Sequence, residues 1–203
     1  MSMNRHSESS TIQYYEDHAD EYVNATAGVN MESLYQPFLE CIPQGGMILD
    51  AGCGSGRDTK AFLDRGYRVM AIDASAKMTE ATTRLTGQPA QQLELQQLDS
   101  TGKFDGIWAC ATVLHIPLSE LDDAVVTLIA ALRPGGICYL SFKEGVGERM
   151  EGERLFVDFT EDGLRKQLDR HLSFDTVQIW ITTDLRLDCD ERWVNALIRK
   201  VDR

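Results

Sequence analysis

The run Asp50-Ala51-Gly52-Cys53-Gly54-Ser55-Gly56 constrains this chain more than any other part of it. Three glycines at alternate positions follow a short apolar segment, Met47-Ile48-Leu49, and precede a stretch with helical spacing. Such a loop lets the backbone turn sharply and lets a ligand approach main-chain atoms with no Cβ in the way. A dinucleotide fingerprint needs GxGxxG. Counted from Gly52 its last glycine falls on Arg57, and counted from Gly54 it falls on Thr59. No Gly-Lys-Ser or Gly-Lys-Thr follows, so a Walker phosphate loop is excluded as well.

Around this loop, helix and strand patterns alternate. Ser10 and Gln13 form a capping box ahead of Ile12, Tyr15, Ala19, Tyr22 and Val23 at helical spacing. A second helix is expected over 31–42, with Asn30 as cap and Pro37 kinking it or in its first turn. Residues 47–49 read as a buried strand, 56–65 as a helix closed by Gly66, and 67–72 as a strand ending at Asp73. Ser75 caps a helix to about Leu85; strands follow at 93–95 (weak) and 104–110. Ser119 caps an amphipathic helix whose Leu121, Val125, Leu128, Ile129 and Leu132 share a face. Pro134-Gly135-Gly136 turns into a strand over 137–142, and Thr160 opens a helix with Leu164, Leu168 and Leu172 inward. Runs at 174–183 and 192–201 have no helix between them and pair as an antiparallel hairpin at the sheet edge. The sum is an α/β fold with a doubly wound, mostly parallel sheet, helices on both faces and one domain. Ligands bind such a sheet at the carboxyl ends of its strands, which places Asp50, Asp73, Glu94, Ala109 and Phe142 near one rim.

Composition narrows the partners. With 20 basic against 32 acidic residues the net charge is −12, which speaks against a polyanionic nucleic acid. Arg149, Arg154, Arg165, Lys166 and Arg170 cluster in sequence, but acids are interleaved, giving a solvated mixed surface. No apolar run is long enough to span a membrane, and the polar residues 1–10 lack a signal core, so a cytoplasmic protein with a disordered tail over 1–10 is expected. Five scattered cysteines without a CxxC pair suit reduced thiols, and no metal site is expected.

The D-x-G-x-G-x-G loop, an acid at Asp73 ending the next strand, and Leu132-Arg133-Pro134-Gly135-Gly136 before the fifth strand resemble the class I, S-adenosylmethionine-dependent methyltransferases. The segments 108–117, 141–145 and 180–184 are similar to the tellurite-resistance-type branch, a kinship that does not imply tellurite chemistry. The resemblance implies a Rossmann-like fold with a helical lid over 11–43, a cofactor-binding core over 46–142, and a substrate-side loop, helix and edge hairpin over 143–203. It implies S-adenosyl-L-methionine as cofactor, with S-adenosyl-L-homocysteine as its product. Asp50 would lie near the cofactor's amino group, and Ala51, Gly52, Cys53, Gly54 and Gly56 would form the loop beneath its methionine part. Asp73 would hold the ribose, and Ala74, Met78 and Leu95 would flank the adenine. Glu94 would meet the adenine amine, with Asp99 as a competing acid, and Ala109 would offer backbone.

The chemistry of acceptor binding is less marked. Methyl transfer is an in-line displacement from a cationic sulfur, the leaving thioether needs no acid, and alignment supplies much of the acceleration. A base is needed only where the acceptor must lose a proton. His115, after the fourth strand, is a candidate base or merely a loop ligand. Tyr14, Tyr15 and Tyr22 are candidates to contact cofactor or substrate, or to pack. Lys143 and Arg149 are candidates for the acceptor, or for surface ion pairs. A small-molecule acceptor and a monomer or homodimer complete the expectation. Methylation of a protein or RNA, or a non-catalytic cofactor-binding module, are the alternatives.

Overall fold

A seven-stranded sheet forms the centre of the computed structural model, which describes residues 3–201. In chain order its strands are β1 (Met47–Ala51), β2 (Arg68–Asp73), β3 (Gln91–Gln92), β4 (Phe104–Ala109) and β5 (Leu132–Lys143), followed after a separate hairpin by β8 (Phe174–Thr183) and β9 (Arg192–Lys200). That hairpin pairs β6 (Gly147–Glu151) with β7 (Arg154–Asp158). The helices are α1 (Met3–Asp17), α2 (Ala19–Thr26), α3 (Glu32–Leu39), α4 (Arg57–Asp64), α5 (Ala76–Thr86), α6 (Leu121–Ala131) and α7 (Glu161–Leu168). The sheet order is β3-β2-β1-β4-β5-β9-β8. The first five strands run parallel, and β9 joins β5 antiparallel with β8 at the edge. This is the Rossmann-like arrangement, with an antiparallel C-terminal strand. The order reverses between β1 and β4, and a crevice opens beyond the carboxyl ends of those two strands.

Alternation along the strands builds two cores. Ile48, Trp108, Ile137, Tyr139 and Leu197 face one side and pack on Leu34, Tyr35 and Phe38 of α3 and Phe62 of α4. Leu49, Ile107, Cys138, Leu140 and Ile198 face the other, under α6 and α7. Both faces of the sheet are covered, so its central strands are near-continuously apolar rather than alternating. Local signals place the helix ends: Ser75 Oγ accepts from Met78 N, Thr160 Oγ1 accepts from Gly163 N, and Gly87 ends α5 with φ +72°.

Several sequence expectations are corrected. Of the tail expected over 1–10, residues 1 and 2 lie outside the described residues, and the chain is helical from Met3, well before the Ser10 capping box. Ser10 Oγ instead donates to the carbonyl of Glu153, tying α1 to the β6–β7 hairpin. The strand expected at 93–95 is displaced to Gln91–Gln92. Leu95–Gln97 forms a 3-10 turn that buries Leu95. Glu120, not Ser119, takes the cap position of α6. The turn at Pro134-Gly135-Gly136 is a bulge inside β5, between the pairings Phe104–Leu132 and Gly106–Ile137. α7 ends at Leu168, so Leu172 is exposed rather than inward. The hairpin β6–β7, expected only as a loop, is the largest omission: β6 carries mixed charges with no apolar alternation, and β7 offers only the short apolar run Leu155-Phe156-Val157.

Phe38 has no exposed surface and its ring meets both Phe62 and Trp108 at 5.8 and 5.1 Å between centroids. Truncating it should cost about 3–5 kcal/mol. Phe38→Ala is therefore expected to lower the urea midpoint at unchanged m-value; an unchanged midpoint would mean that α3 is not anchored to the sheet.

Candidate functional site

Two adjoining chambers lie at the strand-order reversal. The first, of about 130 Å³, is lined by Ile72, Asp73, Ala74, Ser75, Met78 and the stretch 93–96, with Thr11, Ile12 and Ile116 opposite. The second, of about 360 Å³, extends over Cys53 to Ser55, Arg57 and Asp58 to Tyr139, Ser141, Lys143, Arg154, Phe156 and the loop before β9. Tyr15, Tyr22, Gly52, Gly54, Cys110, Ala111 and His115 line both, so they form the passage between them.

The glycine loop fits closely against the segment after β4. Gly52 has φ +83°, and a Cβ on it would fall 2.1 Å from Thr112 Oγ1. Gly54 has φ +51°, and a Cβ there would reach the Tyr22 ring at 3.2 Å. Gly52 and Cys53 donate their N–H groups to Ile72 O, leaving the loop's outer face toward the chambers. Ala111, a non-glycine residue at φ +52°, is held by its N–H donating to Ser141 Oγ at 2.8 Å.

Asp73 ends β2 at the rim. Its two carboxylate oxygens each accept one backbone N–H, from Gly54 and Ser75, both at 2.9 Å. Each oxygen keeps further lone-pair capacity. Burial raises this carboxyl to about 6, against the opposing pull of those two bonds. Glu94 and Leu95 line the same chamber, with Ala74 and Met78.

His115 and Tyr15 meet in the passage. His115 Nδ1 lies 2.6 Å from Leu155 O, and a carbonyl only accepts, so Nδ1 carries the proton. Nε2 is then an acceptor, and it takes the Tyr15 hydroxyl at 2.9 Å. Burial lowers the imidazole to about 4, helped by the charges of Arg154 and Lys143. Burial likewise raises the Tyr15 hydroxyl to about 12, against the nearby Arg154. The pair is neutral across the physiological range.

Not every expected site residue reaches a chamber. Asp50 is buried behind the loop, where Thr59 Oγ1 donates to it at 2.5 Å; burial, and then Asp58, raise its carboxyl. Ala51, Gly56 and Ala109 do not line either chamber, and Cys110 and Ala111 stand where backbone from Ala109 was expected. The Cys53 thiol turns to Thr82 Oγ1, and burial raises it well above its ordinary value. Tyr14 lines neither chamber; its ring stacks on His18 and lies under the Arg154 guanidinium. Lys143 lines the second chamber, ion-paired to Glu191 at 2.6 Å and over the Phe156 ring. Arg149 is paired with Asp158 and Glu151, and Arg154 lines the chamber in its stead. Asp184, Cys189 and Glu191 bring ligand atoms within 4.8 Å of one another. Arg186 and Trp193 already bond Asp184, and Lys143 bonds Glu191, so their chemistry is that of an ion-pair cluster.

Thr112, Ser141 and Arg154 were missed by sequence reasoning. Nothing in their local pattern marks them; they reach the site through long-range pairing of β4, β5 and the hairpin.

Comparison with known proteins agrees with this geometry. Residues 48–136 match the family model for a methyltransferase domain. A malonyl-[acyl-carrier protein] O-methyltransferase from Enterobacter lignolyticus is 35% identical over 92 residues, 44% of this chain and 36% of that protein. A 2-methyl-6-phytyl-1,4-hydroquinone methyltransferase from Synechocystis is 30% identical over 109 residues, 49% of this chain and 32% of that protein. This chain thus spans about a third of the length of these curated relatives. The Burkholderia thailandensis 1,6-didemethyltoxoflavin-N1-methyltransferase, solved with 1,6-didemethyltoxoflavin and S-adenosylhomocysteine bound, superposes with a TM-score of 0.78 at 25% identity. That likeness covers 96% of this chain and 87% of the other.

Gly52→Ala tests the loop. The left-handed φ alone costs about 1–2 kcal/mol, and the contact with Thr112 adds to it. A lower melting temperature together with loss of S-adenosylhomocysteine binding is expected; a variant that binds normally would show that the loop is not held in this conformation.

Proposed function

We propose that this chain, which carries a class I, S-adenosylmethionine-dependent methyltransferase domain, moves a methyl group from that cofactor to a small-molecule acceptor held in the second chamber. The observation that carries the proposal is the passage between the chambers, where the glycine loop, Tyr15, Tyr22 and His115 all meet. A bound cofactor supplies a methyl group on a cationic sulfur.

The residues present fit that group. Asp73 can accept hydroxyls of a ribose on the lone pairs its two backbone donors leave open. Ala74, Met78 and Leu95 offer apolar walls for a purine, and Glu94 an acceptor for its amine. Gly52 and Gly54 let the methionine part lie against main chain, with Cys110 and Ala111 opposite. The passage would give the cofactor's methyl group access to the second chamber, and Tyr15 of α1 and Tyr22 of α2, which line it, would help to exclude water.

On the acceptor side, Tyr15 and His115 align the incoming atom. An acceptor O–H or N–H that takes the place of the Tyr15 hydroxyl meets an unprotonated Nε2. So depressed an imidazole is a weak base, yet an amine or hydroxyl becomes strongly acidic as its lone pair takes the methyl. Proton removal late in the displacement suits that base. Lys143, Arg154, Phe156 and Trp193 give the chamber a charged and an aromatic wall, suited to a planar polar molecule. The net charge of −12 supports a small acceptor over RNA, and no described helix is long and apolar enough to cross a membrane.

Calorimetric titration with S-adenosylmethionine and S-adenosylhomocysteine tests the cofactor side. Saturable binding is expected, weakened at least about tenfold in Asp73→Ala, the scale of a lost charge-assisted hydrogen bond. Well-folded protein that binds neither ligand would end the methyltransferase reading. The pH dependence has a definite sign. Only ionised Asp73 accepts on both oxygens, so affinity should fall as pH drops from 7.5 to 5, with a midpoint near 6 set by the free carboxyl. Asp73→Asn should flatten that profile.

His115→Ala separates chemistry from binding. With labelled cofactor and a small-molecule extract as acceptor source, transfer is expected to drop at least about tenfold, within the range of general-base removal. Homocysteine-cofactor affinity should stay within a factor of about three, since neither nitrogen of His115 is needed to hold the cofactor. Equal losses in both would assign the imidazole to packing.

A further inference from the structure

The end of β5 and the β6–β7 hairpin gather three cations around one ring. Lys143 Nζ lies 4.3 Å from the Phe156 centroid, the Arg149 guanidinium 4.9 Å and the Arg154 guanidinium 5.0 Å. Their counter-charges are shared unequally. Arg149 holds Asp158 at 2.6 Å and Glu151 at 2.7 Å, and Lys143 holds Glu191 at 2.6 Å. Among the described residues Arg154 pairs only with Glu151, at 3.2 Å, and that carboxylate is already closer to Arg149. Arg154 Nε is buried with no acceptor among the described residues. The guanidinium packs on the rings of Tyr14 and Phe156, which fix its place, and it lines the second chamber but not the first. Arg154 is thus the least neutralised cation of this wall.

We propose that the acceptor is a planar organic monoanion whose carboxylate is received by Arg154; this rests on the proposed function above. The carboxylate is a handle that sets the pose of the ring, while the methylated O–H or N–H stays with Tyr15 and His115. A guanidinium suits a carboxylate because its parallel donors match the two oxygens. Accepting the ligand costs little: Glu151 is 45% exposed and keeps Arg149, so leaving Arg154 strands no charge. The handle would also lie close to the passage. After burial, the groups that hold the His115 imidazole low are Arg154 and Lys143, and Arg154 also opposes burial at the Tyr15 hydroxyl. Phe156, Tyr139 and Trp193 offer the ring its aromatic surfaces. A dianionic phosphate fits less well, because Glu151, Asp184 and Glu191 line the same chamber and would repel its second charge.

The test uses two probes of equal shape, 2-naphthoate and 2-naphthamide, which differ in charge. Each is titrated calorimetrically into the full chain saturated with S-adenosylhomocysteine. Naphthoate is expected to bind at least about tenfold tighter than the amide. Arg154→Met should remove that preference, weakening naphthoate about tenfold or more and leaving the amide within about threefold; Arg154→Lys should restore part of it. Arg149→Met, which removes a cation already held by Asp158, should leave the preference within about threefold. S-adenosylhomocysteine affinity certifies that each variant is folded, and a loss of it in Arg154→Met would make this arginine structural and overturn the proposal. Equal binding of the two probes, a preference that survives Arg154→Met, or loaded protein that binds neither probe would overturn it as well, with the cofactor reading intact. Wild-type protein that fails to bind S-adenosylhomocysteine overturns the cofactor reading itself, and this proposal with it.

Discussion

The backbone of Gly52 passes so close to Thr112 that no side chain fits between them. Everything at the site depends on that approach. It fixes the end of β1 against the segment after β4, at the point where strand order reverses, and so sets the width of the crevice between them. Loops at such a reversal diverge to opposite sides of the sheet, which is why a cleft forms there without any residue being spent to open it. The glycine loop and the Cys110 to His115 stretch then become the two walls of one passage. Ala111 is strained into a left-handed φ to make the second wall, and Ser141 on β5 holds it there. Backbone strain of that kind survives where surrounding bonds over-determine it.

Beneath the loop lies a buried polar network that an apolar core would not need. Asp58 gathers hydrogen bonds from Arg57, Tyr35 and Trp108 among aromatic rings. Burial raises its carboxyl, but Arg57 and these bonds outweigh burial and hold it below the ordinary range. Ion pairs of this sort are weak evidence for stability, because desolvation offsets much of the attraction. Their better use is geometric. The network forbids Arg57 from swinging to solvent, and it couples α3, α4 and β4 to one another at the level of the site. Asp50, bonded to Thr59 behind the loop, is raised instead, by burial and then by the charge of Asp58.

Much of this was legible from residues alone, for identifiable reasons. The glycine loop, Asp73 and the Ser75 and Thr160 caps are local signals, each carried by a few adjacent side chains, and the structure has them where local chemistry puts them. The alternation of strand and helix announced a parallel sheet, and the absence of a helix between β8 and β9 announced the antiparallel edge. What was not legible depends on distance along the chain. Thr112 meets Gly52 across 60 residues, His115 meets Leu155 across 40, and Arg154 reaches Tyr14 across 140. The β6–β7 hairpin hid because β6 is charged on both faces and β7 is only a three-residue apolar run between charges, and Leu172 was misplaced because α7 stops a turn early.

The same division explains why the chamber at the glycine loop is easier to read than the larger one beside it. The segment that matches a methyltransferase domain ends at residue 136. Lys143, Arg154, Phe156, Asp184, Glu191 and Trp193, which wall the larger chamber, all lie beyond it. They sit on a hairpin, a strand end and a loop, elements that can change length or charge without disturbing the sheet that carries the glycine loop. α1 links the two sides: Glu16 accepts from Ala76 N at the start of α5, beside the first chamber, while Thr11 accepts from Leu155 N in the hairpin that walls the second. One helix therefore closes over both chambers at once. The shape of the second chamber and the enclosure of the first are not independent, since any change in the hairpin that moves Leu155 also moves the carbonyl that fixes the tautomer of His115.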